Sequence, residues 1–179
     1  MEKILRSLDE IPKFIHGGHY SVTVDWDYIE QWIEDKKQHD VDLDPDFQRA
    51  HVWTQDKQIR YVEFILRGGE SSRVIYWNCP GWMNDFRGPM LLVDGKQRLE
   101  AVRAFLRGEI PAFGTFIGDW EERLLRKARA YFTFNVNNLD TRAEVLQWYL
   151  DLNSGGVVHT QEEIDKVKAM LEKEKSSKK

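Results

Sequence analysis

The sequence predicts an α+β fold, a small mixed sheet flanked by helices within one domain. Three observations predict it. The 179 residues are 41% hydrophobic and 31% charged, ordinary for a globular chain large enough to bury a core without disulfides. Four short runs rich in β-branched and aromatic residues, YSVTV, RVIYW, MLLV and YFTFNV, read as strands. Between them lie stretches whose apolar residues recur at helical spacing and end at glycines.

The elements follow in order. Residues 1–19 form a lead-in closed by Gly17-Gly18, and the domain occupies 20–172. Tyr20 to Val24 is a strand, and Asp25 caps a helix carrying Ile29, Trp32 and Ile33. An acidic loop, Asp40 to Asp46, precedes Phe47-Gln48-Arg49 and Trp53. Thr54 caps a helix with Ile59, Val62, Ile65 and Leu66 inward, ended by Gly68-Gly69. Arg73 to Trp77 is a strand, and residues 78–89 a loop broken by Gly and Pro. Met90 to Val93 is apolar throughout, as a strand buried on both faces would be. A helix from Lys96 turns Leu99, Val102, Phe105 and Leu106 inward and stops at Gly108. Ile110 to Ile117 adds a short strand, Glu121 to Arg129 a short charged helix, and Tyr131 to Val136 a strand. Thr141 to Leu152 is a helix stopped by Asn153-Ser154-Gly155-Gly156. Thr160 and Glu163 form a capping box for the last helix, 161–174, and the polar tail, 173–179, frays.

Composition excludes several classes. A single cysteine, Cys79, rules out an intramolecular disulfide framework. No segment is apolar enough for a signal peptide or a membrane span, so cytoplasmic residence is expected. The net charge of −4 argues against a generic duplex-coating protein. Charge is uneven, however: residues 1–50 hold 6 Lys+Arg against 12 Asp+Glu, whereas residues 96–129 hold 8 against 5. That second run is either a locally positive face or a solvated helix surface. The five histidines show no metal-site spacing, and Cys79 lacks a context that would activate its thiol. No P-loop and no nucleophile elbow is present.

The strongest local signal is the strand–turn–helix junction Val93-Asp94-Gly95-Lys96-Gln97-Arg98. A helix start offers unpaired N–H groups and partial positive charge, both of which attract anions. Gly95 permits close backbone approach. Lys96 and Arg98 place two cations where they disfavour the helix, each costing roughly 0.3–1 kcal/mol, which a bound anion would offset. The alternative is a plain tight turn with two solvent-facing cations. Arg49, beside Gln48, would clamp a phosphate or pair with Asp44 or Asp46. Asn153 to Gly156 would line a site or form a common helix C-cap.

These segments, in the order FQRxxVW, LLVDGKQRLEA and LNSGG, resemble the N-terminal domain of GmrSD-type restriction proteins, in the ParB/sulfiredoxin-like superfamily. The similarity spans about residues 20–170. It implies a nucleotide pocket at Asp94 to Arg98, with Gln48 and Arg49 on the opposite wall and Asn153 and Gly155 on a third side. It implies an NTP with Mg²⁺ as ligand, base unspecified, and a cytoplasmic setting in DNA restriction or a mobile element. The phosphates would be held by Gly95, Lys96, Gln97 and Arg98. Hydrolysis, if it occurs, would use Arg49 to stabilise charge, Asp94 to hold Mg²⁺ or orient water, and Glu100 as the second carboxylate.

The chain also departs from the family pattern. Lys96 stands where Gln is usual in the family and where sulfiredoxins carry their reactive cysteine. Glu100 stands where CTP-hydrolysing partition proteins carry an arginine. The HNH nuclease domain that follows in GmrSD-type proteins is not expected in these 179 residues. The reading is therefore a stand-alone nucleotide-binding domain, with slow NTP hydrolysis as its enzymatic form. The partners would be nucleotide, and DNA or a restriction nuclease. The competing readings are a non-enzymatic decoy or inhibitor of a restriction system, and a kinase or DNase of the same superfamily.

Overall fold

In the computed structural model of the chain, residues 19–48, 52–82, 88–120, 125–153 and 161–176 are described. Five strands form one mixed sheet in the order β1-β5-β3-β4-β2. They are β1 (His19–Asp25), β2 (Val41–Asp42), β3 (Val74–Asn78), β4 (Met90–Asp94) and β5 (Tyr131–Asn137). Strand β5 runs antiparallel to β1 and parallel to β3, while β4 runs antiparallel to β3 and parallel to β2. The α-helices among the described residues are α1 (Ile29–Lys36), α2 (Gln55–Leu66), α3 (Lys96–Leu106), α4 (Arg142–Asn153) and α5 (Gln161–Ser176).

The alternation of strand side chains divides the interior into two clusters. Ile75, Trp77, Leu92, Phe132 and Phe134 pack with α1, α2 and α3 on one side. Val93 joins Val145, Leu146, Tyr149, Val167 and Leu171 of α4 and α5 on the other, with Tyr76 against it. The sheet is thus covered on both faces, so β4 can be apolar at successive positions, with Leu92 and Val93 buried on opposite sides. Trp77 lies at the centre of the larger cluster, 5.1 Å from the ring of Trp32 and 5.6 Å from that of Phe134.

Most elements lie where residue pattern places them, and the exceptions have physical causes. Thr54 does cap α2, its hydroxyl accepting from Lys57 N. Asp25 makes no side-chain cap and precedes a 3₁₀ turn, Trp26–Tyr28, before α1 begins. Ile110 to Ile117 is not a strand: Ala112 and Thr115 exchange two backbone hydrogen bonds of 3.0 Å around a tight turn. Pro111 cannot donate to a ladder, and Gly114 takes a positive φ. Strand β2 lies inside the segment expected to be an acidic loop and exists through its pairing with Met90 and Leu91. Of the expected charged helix 121–129, residues 121–124 lie outside the described residues and Leu125–Ala128 is a 3₁₀ turn. Helix α5 continues to Ser176, through residues 173–176 assigned to a fraying tail. The lead-in 1–18, Thr160 of the capping box and residues 177–179 lie outside the described residues. No described helix is long and apolar enough to cross a membrane.

Candidate functional site at the start of helix α3

The sharp passage from β4 into α3 is made by Gly95, whose φ of +103° lies in the left-handed region. That conformation favours glycine, and a Cβ there would also stand 2.5 Å from Ile75 Cδ1, which would have to shift. Just before it the β3–β4 ladder carries a bulge: Tyr76 faces Asp94, but Trp77 faces Leu92, leaving Val93 as the extra residue.

Asp44, Gln48, Val52 and Trp53 contact this junction. Gln48 Nε2 donates to the carbonyls of Leu92 and Val93, 2.8 Å each, across the bulge. In return, Gln97 Oε1 accepts from the backbone N–H groups of Val52 (2.9 Å) and Trp53 (3.1 Å). The two glutamines form a reciprocal clasp between the chain around Gln48 and Trp53 and the β4–α3 junction. Lys96, only 8% exposed, forms an ion pair with Asp44, whose own side chain is 75% exposed.

The helical step of about 100° per residue separates the neighbouring side chains. Arg98 projects away from Lys96, donating to Asp94 Oδ2 at 2.6 Å and to the Val74 carbonyl at 3.0 Å. Asp94 and Arg98 thus form an i,i+4 pair at the sheet edge of the helix. Lys96 and Glu100 instead face a cleft of about 700 Å³ between α3, the start of α2 and the loop at Asp44. Gln58, Arg103 and Arg107 also line it. Arg103 donates to Glu30 (2.6 and 3.1 Å) and Glu100 (2.8 Å). Burial opposes its charge, but the carboxylates outweigh burial and hold the guanidinium above its ordinary pKa. Arg107 is likewise held up by its hydrogen bonds to Glu109.

The residues singled out from sequence therefore divide. Lys96 and Glu100 share the cleft. Gly95, Gln97, Arg98, Asp94 and Gln48 shape and brace the turn beside it and do not line it. Asn153 Nδ2 donates to the Tyr149 carbonyl, 2.7 Å, within its own helix. Arg49 and Gly155 lie outside the described residues. Asp44 and Asp46, considered as partners for Arg49, hold Lys96 and Arg142 respectively. Missed from the sequence were Arg103 and Arg107, although 96, 100, 103 and 107 fall on one helical face. Among the described residues no group of three or more His, Cys, Asp or Glu could hold a metal ion. Cys79 is 1% exposed and its thiol is pushed up by burial, which suits a structural role.

Fold and site together define a mixed α+β domain with a charged cleft at a strand–glycine–helix junction. The family model "GmrSD restriction endonuclease, N-terminal domain" matches residues 29–171, and the chain belongs to that family. The match extends from the first residue of α1 to the second apolar turn of α5, covering the cleft and the clasp. Membership of that family points to a restriction or defence setting. Comparison with curated proteins and with solved structures gave no match.

Proposed function

We propose that this domain binds a nucleoside triphosphate in the cleft at the start of α3, as the nucleotide-responsive part of a restriction system. The observation that carries the reading is Lys96. It is a buried cation in the first turn of a helix, where the backbone dipole disfavours positive charge. Its counter-charge, Asp44, stands largely in solvent, so an incoming phosphate could take its place at little desolvation cost. No acidic residue of α3 occupies that first turn. The remaining volume suits a nucleotide.

In this reading Gln97, Arg98 and Asp94 keep the turn rigid and Lys96 contacts phosphate. Arg103 and Arg107 supply further positive charge along the cleft. Mg²⁺ would arrive with the triphosphate, needing one or two protein carboxylates besides the phosphate oxygens. Glu100 lines the cleft one turn along α3 from Lys96 and would supply such a carboxylate, whereas Asp44 is the group the phosphate displaces and Asp94 does not line the cleft. Hydrolysis would have Glu100 orient a water toward the terminal phosphorus, the bond to the bridging oxygen breaking to release inorganic phosphate. Arg49 remains the proposed clamp from the 44–53 segment.

Calorimetric titration with ATP, GTP, CTP and UTP, each with Mg²⁺, tests this. Saturable binding of at least one, weakened about tenfold or more in Lys96→Ala, is the expected result. Release of phosphate from the bound nucleotide would separate hydrolysis from switching. Absence of binding by folded protein would refute the reading.

A further inference from the structure

A second charged pocket, of about 250 Å³, lies at the opposite end of α2, among Arg67, Glu70, Arg73, Lys127 and Arg129. Four cations face one carboxylate there. Arg73 is 5% exposed, and its side chain donates to the carbonyls of Gly69 (2.7 Å), Arg129 (2.6 Å) and Ile65 (3.4 Å). These bonds use three of the five N–H groups of a guanidinium. A buried cation among carbonyls at a helix C-terminus is stabilised there, yet no described carboxylate forms an ion pair with it.

Beside this pocket the protein displays two aromatic rings. Phe64 and Phe113 are 44% and 48% exposed. The ring of Phe64 lies over Gly69, so close that a Cβ there would collide with it, and Gly68 and Glu70 on either side line the pocket. Phe113 sits at the tip of the Ala112–Thr115 turn with φ +51°, in the left-handed region that bulky residues rarely adopt. Its N–H is fixed by Glu63, 2.8 Å away. Arg67 stacks 5.3 Å from the Phe113 ring centroid and also lines the pocket, joining the two features. An aromatic ring held outward on a tight turn, next to a pocket lined by four cations, matches a ligand with both flat apolar faces and anionic groups.

We infer that this surface binds single-stranded nucleic acid, the pocket taking a backbone phosphate and Phe113, with Phe64, stacking the adjoining bases. Unpaired bases expose the faces that such rings require, whereas a duplex hides them in its stack. The net charge of −4 keeps the rest of the molecule from holding duplex non-specifically.

Fluorescence anisotropy with a labelled oligothymidine and with a duplex of equal length, at low salt, tests the assignment on the full chain. Preference for the single strand is expected. Phe113→Gly should weaken binding by about tenfold without lowering the melting temperature, because glycine accepts the positive φ. Arg67→Ala should also weaken binding and flatten its salt dependence. Neither variant should alter the triphosphate titration, so failure here is distinct from failure of the nucleotide reading. Equal affinity for duplex, unchanged affinity in Phe113→Gly, or no binding of either probe would overturn the inference.

Discussion

Trp77→Ala is expected to destabilise the domain by about 3–5 kcal/mol, a large share of the 5–15 kcal/mol typical of a domain. Trp77 is fully buried on β3, a strand hydrogen-bonded on both sides, and packs against Trp32 and Phe134. Among the described residues its indole N–H has no hydrogen-bond partner, so the loss is one of packing and cavity formation. Trp77→Phe, which removes that unsatisfied donor with part of the volume, should cost clearly less. Urea unfolding measures both: the midpoint should fall with an unchanged slope. A loss below about 1 kcal/mol for Trp77→Ala would mean that the larger cluster is not the core described.

Gly95→Ala is the second large effect expected, about 2–5 kcal/mol. It combines roughly 1–2 kcal/mol for a left-handed conformation with 1–3 kcal/mol for overpacking. The added methyl would meet Ile75 Cδ1 at 2.5 Å, Arg98 Nη2 at 3.2 Å and Ile75 Cα at 3.3 Å. Relief requires the buried Ile75 side chain to swing aside and its Cα to yield slightly, beside the turn that carries Lys96. Gly108→Ala is the control: its φ is also positive, +71°, but nothing lies within 4 Å of the new Cβ. It should cost only the conformational part, about 1–2 kcal/mol. Thermal melts of the two variants separate strain from collision. Equal losses would contradict the packing described at Ile75.

The strands were legible because YSVTV, RVIYW, MLLV and YFTFNV combine shape-restricted side chains with turn signals at their ends. Helices α2 and α3 were legible through Thr54, Gly68 and Gly108, whose conformations depend on local chemistry alone. Strand β2 was not, because two residues carry no periodicity and take their structure from β4. The junction at 93–98 was recognised as special, but the division of labour within it was not. Adjacent residues on a helix point in different directions, so Lys96, Gln97 and Arg98 cannot all meet one ligand side on. The Asp94–Arg98 pair does not follow from helical spacing, because Asp94 ends β4 and the left-handed Gly95 stands between it and α3. The pairing of Lys96 with Asp44, 52 residues earlier in the chain, could not be read either, since only the tertiary fold brings them together.

The measurement that tests the central claim most directly is a parallel calorimetric titration of wild type, Lys96→Ala and Asp44→Asn with the nucleotide that binds. If phosphate replaces Asp44 at Lys96, the two substitutions act in opposite directions. Lys96→Ala weakens binding, and Asp44→Asn strengthens it by freeing the ammonium from its internal counter-ion. Weaker or unchanged binding in Asp44→Asn, or full affinity in Lys96→Ala, would contradict the account and leave the Lys96–Asp44 pair as a structural contact of the fold.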